Sequence, residues 1–295
     1  MALITIVTPT YNRGKEIQNL FNSLTCQTCM NFEWLIIDDG SVDHTGEVIE
    51  KVKETANFPI KYIKKKNGGK HTALNVAFEQ VETELLFIVD SDDTLTPTAI
   101  EQIQRDWEKT KKERYNLCGM SYLRGHSDNQ PIGDLFPQNY GIDSFANVRV
   151  NQNIQGDKAE VWATKYLKDL RFPVYEEEKF LVESYIWLQV SKRANMLFVN
   201  KVIYLTEYLE GGLTKSGRRL RIKCPQGGMA FSVLAMEEEY PLKNRLKAGI
   251  LYSAYSFFAK KNIKETFNIP YKSILTISYL PGYFLYLLWK FKFDK

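Results

Sequence analysis

The chain has 295 residues, of which 44% are hydrophobic and 25% charged, with a formal net charge of +4. That composition supports a substantial core, as one large domain or one domain with an appendage, and its positive charge is too small to point to nucleic acid. Met1-Ala2-Leu3 runs straight into ITIVTP without a signal-peptide pattern, which points to a reducing compartment where the four cysteines stay unpaired. Cys26 and Cys29 have redox or zinc spacing, but no second pair follows and the three histidines lie elsewhere.

In chain order, Leu3–Val7 is a β-branched run that reads as a buried strand, ended by the turn chemistry of Thr8-Pro9-Thr10-Tyr11-Asn12-Arg13. A helix follows, with Ile17, Leu20, Phe21 and Leu24 at helical spacing. Phe32–Ile37 is a second strand and ends in Asp38-Asp39-Gly40-Ser41. A second helix carries Val48, Ile49 and Val52. Ile60–Ile63 is a short third strand, Lys64–Asn67 a basic loop, and Gly68-Gly69-Lys70 lets backbone approach a ligand closely. Thr72–Val81 reads as a helix. The apolar run Leu85–Val89 then ends abruptly in Asp90, Ser91, Asp92 and Asp93.

Three carboxylates at the tip of one buried strand repel each other and call for a counter-cation. One remedy is a divalent metal bridged to a phosphate-bearing ligand. The alternative is an acidic turn in which Asp93 or Thr94 caps the next helix. Strand–helix alternation over about 100 residues means a mostly parallel sheet with helices on both faces, and such sheets bind ligands beyond the carboxyl ends of their strands. Thr8–Arg13, Asp38–Ser41, Lys64–Lys70 and Asp90–Asp93 therefore converge on one crevice, whose acidic turns and Gly/Lys loop suit a nucleoside diphosphate with a metal.

The stretches ITIVTPTYNR, LIIDDGSVDHT and FIVDSDDTLTP, in this order and at these spacings, resemble family 2 glycosyltransferases of the GT-A fold over residues 3–100. The resemblance implies an α/β GT-A domain that binds a nucleotide sugar, UDP-linked, with Mn²⁺ or Mg²⁺, and acts in bacterial surface polysaccharide assembly. It implies that Thr8, Pro9, Tyr11 and Arg13 line the nucleotide site, with Pro9 and Tyr11 along the base, and that Asp39 accepts a base N–H. Asp38 is either a partner in this or a structural residue of its turn. Asp90 and Asp92 match the family's Asp-x-Asp, with Asp92 a direct metal ligand, Asp90 near the ribose or the metal, and Ser91 between them. Lys70 reaches a phosphate or the base edge, or is a solvated loop lysine. A nucleotidyltransferase would carry a Gly-rich basic loop where TPTYNR stands; a non-catalytic nucleotide- or sugar-binding module is the alternative outside enzymes.

In the second half, Ile100, Ile103 and Trp107 lie on a helix that runs into a solvated charged stretch, Asn116–Tyr122 is a strand candidate, and Arg124–Phe145 reads as a long loop containing His126. Phe180–Ser191 fits a helix. Sugar transfer by one in-line displacement needs a base on the acceptor hydroxyl, and the family pattern of an acidic pair before an aromatic or Leu-rich helix places it at Glu183, with Glu178 as the alternative. Val182 stands where the pattern has its first acid. Met196–Tyr204 reads as a strand pair or strand-turn-strand, and Gly211–Arg219 as a flexible basic loop that is either solvated or, as the resemblance implies, closes over the nucleotide with Thr214, Lys215, Arg218 or Arg219 at the diphosphate. Ile274–Trp289 carries no charge, is interrupted by Pro281-Gly282, and is short of the about 20 residues of a straight membrane span. With Lys272, Lys290, Lys292 and Lys295 around it, it reads as an interfacial anchor or as a helix packed on the domain or on a partner in a homodimer. The expected division is a catalytic domain over 1–215, with a nucleotide-sugar half (1–100) and an acceptor half (101–215), and a helical extension over 216–295. The expected acceptor is a glycan, free or polyprenyl-linked, at the cytoplasmic face of the membrane.

Overall fold

A computed structural model describes residues 2–127, 130–206 and 213–293. The chain forms two compact units: Met1–Arg171 with Gln189–Tyr208, and Phe172–Leu188 with Leu209–Lys295. The segment Phe172–Leu188, which the sequence places in an acceptor half of the catalytic domain, belongs to the second unit together with the C-terminal helices.

The first unit is built on one mixed sheet. Its strands are β1 (Ile4–Thr10), β2 (Phe32–Asp38), β3 (Ile60–Lys64), β4 (Leu85–Ile88), β5 (Thr94–Leu95), β6 (Leu117–Ser127), β7 (Gln130–Pro131), β8 (Gly141–Asp143), β9 (Lys158–Ala163) and β10 (Asn195–Leu205). The order is β3-β2-β1-β4-β9-β6-β10-β5, with β7 on β6 and β8 on β10. β3, β2, β1 and β4 run parallel, as do β6 and β10, whereas β9 is antiparallel to both of its neighbours. The helices of this unit are α1 (Gly14–Thr25), α2 (Thr45–Thr55), α3 (Lys70–Gln80) and α4 (Ala99–Lys112), and α5 (Ser184–Ser191) begins in the second unit and ends in the first.

The parallel half follows from the sequence pattern. β1 and β4 are buried on both faces, so they read as continuous apolar runs. α1 turns Ile17, Leu20, Phe21 and Leu24 to the sheet, and Phe21 lies over Trp34 with ring centroids 6.4 Å apart. Each fully buried side chain of this kind is worth about 1.5–3 kcal/mol. The chain leaves β1 for β2 on one side and comes back at β4 on the other. That reversal opens the crevice beyond the strand ends.

Three segments differ from the sequence reading. Arg124–Ser127 is strand, not loop: β6 continues through it because β10 pairs alongside from Leu123 to Gly125. β10 is one strand with register shifts rather than a strand pair. The helix expected from Phe180 starts only at Ser184, after a turn in which Glu177 has φ +66°.

The second unit holds α6 (Leu213–Lys223), α7 (Pro225–Leu234), α8 (Leu242–Phe258), α9 (Ile263–Thr266) and α10 (Lys272–Phe293). From Leu213 onward the expected basic loop is helical, with a non-helical residue at Gly217 (φ 34°); Gly211 and Gly212 lie outside the described residues. α10 passes through Pro281 without ending, although proline inside a helix forfeits a hydrogen bond and costs about 3 kcal/mol. Packing on α8 offsets that cost. Gly249 faces Ser278 and Gly282 faces Ser253, so the two backbones meet at small residues; a Cβ on Gly282 would lie 2.3 Å from Ser253 Cβ and 2.8 Å from the Ile250 carbonyl oxygen. Among the described residues no helix is long and apolar enough to cross a membrane.

The α8–α10 contact gives a direct test. Gly282→Val places a branched side chain where no Cβ fits, so a loss of about 1–3 kcal/mol is expected in urea-denaturation stability of the full chain. An unchanged midpoint would show that the helices do not meet at Gly282.

Candidate active site

Turn chemistry at the ends of β1, β2 and β3 builds one wall of the crevice. Asn12 adopts φ +52°, donates its backbone N–H to Ser41 Oγ (2.8 Å) and accepts from the Val42 N–H (2.9 Å), which ties the first strand-end turn to the second. Asp38 is fully buried; its carboxylate accepts from the Ser41 N–H (2.7 Å) and the Tyr62 hydroxyl (2.7 Å), a structural role that holds its own turn. Gly40 has φ +84°, with Asn67 N only 2.9 Å from where a Cβ would stand, so no other residue fits there.

Asp39 organises the basic loop. Its Oδ1 accepts from Lys65 Nζ (2.6 Å) and the Gly68 N–H (2.9 Å), and its Oδ2 from the Gly69 N–H (2.7 Å). Lys65 also donates to Thr72 Oγ1 (2.7 Å). The Gly68-Gly69 loop is therefore pinned at the start of α3, whose first residue is Lys70.

The DSDD turn forms the other wall, and its three carboxylates are treated differently. Asp90 pairs with Lys70 and, at 3.6 Å, with Arg124 Nη1. Burial alone would raise the Asp90 pKa, but the Lys70 and Arg124 charges outweigh it and hold the carboxyl below the usual range. Asp93 is buried and accepts from Arg124 Nη1 (3.4 Å) and the Tyr204 hydroxyl (2.8 Å). Burial and then the Asp90 charge push it up to about 7, against the opposing pull of Arg124 and Tyr204. Asp93 is thus a strut and not a helix cap; Thr98 precedes α4, and no side chain caps that helix. Asp92 is half-buried and has no salt bridge among the described residues. Burial and the Asp90 charge raise its pKa, which Arg13 and Lys70 only partly offset.

Arg124 and Tyr204 lie beneath this turn. The Arg124 guanidinium stacks 3.9 Å from the Tyr204 ring centroid and donates Nε–H to the Lys158 carbonyl (2.9 Å). Burial disfavours its charge, but Tyr204, Asp90 and Asp93 more than restore it. The Tyr204 hydroxyl also accepts the Asp90 N–H (2.9 Å). Neither residue carries a local motif; both come from strands far along the chain, β6 and β10, and only the sheet order brings them under β4. Lys65 was equally hidden in a run of lysines.

Of the other expected site residues, Tyr11 is exposed and Arg13 half-buried at the end of β1. Thr8 does not face the crevice: it is fully buried and its hydroxyl accepts from Trp34 Nε1 (2.9 Å). Pro9 is buried within β1, and Ser91 is buried between the carboxylates. His126 is exposed, with Nδ1 3.1 Å from the Thr206 carbonyl oxygen.

Glu178 and Glu183 belong to the second unit. Both Glu178 oxygens accept backbone N–H groups at the start of α7, from Gln226 (2.8 Å) and Gly227 (2.9 Å), where a carboxylate complements the helix dipole. Glu183 is half-buried immediately before α5, and its carbonyl accepts the N–H of Ile186 (2.9 Å). Arg218 lies over Trp289, 5.1 Å from the ring centroid, and the side chains of Thr214 and Lys215 lie outside the described residues.

Among the described residues no three His, Cys, Asp or Glu side chains form a metal cage. Mg²⁺-type sites on nucleotides do not need one: one or two carboxylates, water and substrate phosphates suffice. A half-buried Asp92 with no salt bridge among the described residues, its pKa raised by burial and the Asp90 charge, fits that donor set.

Residues 5–143 match the family model "Glycosyl transferase family 2". The poly(ribitol-phosphate) beta-N-acetylglucosaminyltransferase TarS of Staphylococcus aureus is 26% identical over 72% of this chain and 36% of its own length, so the chain spans about a third of that relative. Glycosyltransferase GlyG of Streptococcus pneumoniae is 23% identical over 74% of this chain and 73% of its own. The crystal structure of S. aureus TarS 1-349 in complex with UDP-GlcNAc superposes with a TM-score of 0.63 at 20% identity, covering 96% of this chain and 79% of that one. The mannosyltransferase PcManGT of Pyrobaculum calidifontis, solved with GDP-Man and Mn²⁺, gives 0.57 at 17% identity over 99% and 88%.

The guanidinium under the DSDD turn carries a stability prediction. Arg124→Leu leaves Asp90 and Asp93 without their shared cation, so the chain is expected to lose about 3–5 kcal/mol in equilibrium unfolding. A loss below about 1 kcal/mol, the value of a surface pair, would contradict the buried network.

Proposed function

We propose, on the match of residues 5–143 to the glycosyltransferase family 2 model, that the chain is a metal-dependent, inverting glycosyltransferase. Its donor is a nucleotide sugar, UDP-linked, and its acceptor a glycan, free or polyprenyl-linked, in surface polysaccharide assembly at the inner face of the cell membrane. The observation that carries the reading is the division of labour in the DSDD turn: Lys70 and Arg124 satisfy Asp90, Arg124 and Tyr204 satisfy Asp93, and Asp92 is left to bind a cation. The UDP-GlcNAc complex of TarS and the GDP-Man and Mn²⁺ complex of PcManGT support the donor class and the metal.

Each residue then has a task. Asp39 presents a carboxylate with about four acceptor positions, of which Lys65, Gly68 and Gly69 fill three; one on Oδ2 stays available for a base N–H. Tyr11 supplies an exposed ring for the base, and Arg13 and Lys70 supply positive charge for the diphosphate. Asp92 would hold Mn²⁺ or Mg²⁺, which supplies charge neutralisation for the departing diphosphate. Glu183 is the general base. As the acceptor oxygen bonds to the anomeric carbon, its O–H proton passes to the Glu183 carboxylate and the bond to the diphosphate oxygen breaks, the electron pair leaving with the diphosphate. Glu178 is the alternative base, and its two oxygens already hold the Gln226 and Gly227 N–H groups at the start of α7.

Two variants separate binding from chemistry. In a thermal-shift series of nucleotide sugars with and without Mn²⁺, the wild type is expected to be stabilised by one nucleotide family in a metal-dependent manner. Asp92→Asn should erase the metal dependence; an unchanged shift would remove Asp92 from the metal. Glu183→Gln should keep the donor shift while turnover falls by about 10²–10⁴-fold. Full turnover in that variant would exclude Glu183 as the base, and a wild type that binds donor without turnover on any glycan would favour a binding module.

A further inference from the structure

α10 is apolar on two sides, one buried and one exposed. At about 100° per residue, Leu275, Ser278, Gly282 and Trp289 share the side that packs on α8, and all four are buried. The opposite side carries Ile277, Leu280, Phe284, Leu288 and Phe291, all exposed, from 60% at Leu288 to 76% at Phe291. A helix in water normally turns its large apolar residues inward and its small or polar ones outward. Here Ile277, Leu280, Phe284, Leu288 and Phe291 form a second, exposed apolar side beside the buried Ile274, Leu275 and Trp289, and a stripe of this length is more than scattered surface hydrophobicity.

The charges on the helix select the occupant. From Lys272 to Phe293 there is no Asp or Glu. By the same angular count Lys272 and Lys290 fall on one flank of the stripe and Lys292 on the other, all three exposed. Apolar side chains flanked on both sides by lysines match the boundary of an anionic bilayer, where the stripe sits among acyl chains and the ammonium groups reach the phosphates. A second copy of the same stripe would instead bring the lysines of both copies together. No helix among the described residues crosses a membrane, so the fit is to a helix lying in the surface.

We propose that α10 docks the protein on anionic membranes by inserting the Ile277–Leu280–Phe284–Leu288–Phe291 stripe in the plane of the bilayer surface, with Lys272, Lys290 and Lys292 on lipid phosphates. The inference deepens the membrane-side part of the proposed function, and vesicle binding is read separately from the donor-induced thermal shift, so either can fail alone. The test is flotation of the full chain with vesicles of phosphatidylcholine alone and of phosphatidylcholine mixed with phosphatidylglycerol. Recovery with the anionic vesicles is expected to exceed that with neutral ones by at least about tenfold and to weaken with salt. Phe284→Ser with Leu288→Ser, both exposed and hence compatible with an unchanged melting temperature, should cut recovery at least about tenfold; Lys290→Glu with Lys292→Glu should remove the preference for anionic lipid. No recovery of the wild type, or equal recovery of the Phe284→Ser/Leu288→Ser variant, overturns the proposal. A concentration-dependent dimer that the same double substitution dissolves would overturn it too, by assigning the stripe to a second copy.

Discussion

The guanidinium of Arg124 is the constraint on which the site depends. Asp90, Asp92 and Asp93 lie within four residues at the tip of a buried strand, and left to themselves they would protonate or splay apart. Arg124 reaches two of them, is held flat by the Tyr204 ring and is fixed at its other end by the Lys158 carbonyl. Tyr204 in turn donates to Asp93 and accepts from the Asp90 backbone. The turn is therefore braced from below by residues of β6 and β10, and Asp92 is the carboxylate with no salt bridge among the described residues.

The strand-end turns were legible in the sequence because each is a local event. An apolar run that stops at Asp-Asp-Gly-Ser or Asp-Ser-Asp-Asp announces both the strand and its end, and alternation with helices makes the strands parallel and their ends adjacent. What neighbours the turn was not legible. Arg124 opens the Gly/Pro/Asn-rich run, 124–145, that reads as loop, and only pairing with β10 makes it strand. Thr8 shows the limit of the same reasoning in the other direction: its position beside the turn suggested a ligand contact, but its hydroxyl is turned to Trp34 inside the core.

Chemically equal residues separate here through their hydrogen bonds. Asp38 and Asp39 are adjacent, yet Asp38, fully buried, holds its own turn through Ser41 and Tyr62, whereas Asp39 fixes the Gly-Gly loop together with Lys65. Glu178 and Glu183 are five residues apart in sequence, and Glu178 is bound up by two backbone N–H groups of α7. In both pairs the count of acidic residues says little about function. What each carboxylate already holds in place says more, because displacing a charge-assisted hydrogen bond costs free energy.

The second unit follows a related logic with apolar surface in place of charge. Pro281-Gly282 reads in sequence as a break, and the helix continues because Gly282 lets α10 approach α8 closely enough for packing to offset the lost hydrogen bond. That close approach is made with small side chains, and Ile274, Leu275 and Trp289 fill the interior beside it. A contact based on Gly249, Ser253, Ser278 and Gly282 thus has a geometric consequence: Ile277, Leu280, Phe284, Leu288 and Phe291 are turned outward together. The exposed stripe is the other side of the tight helix crossing, and both stem from where the sequence places glycine and serine on α8 and α10.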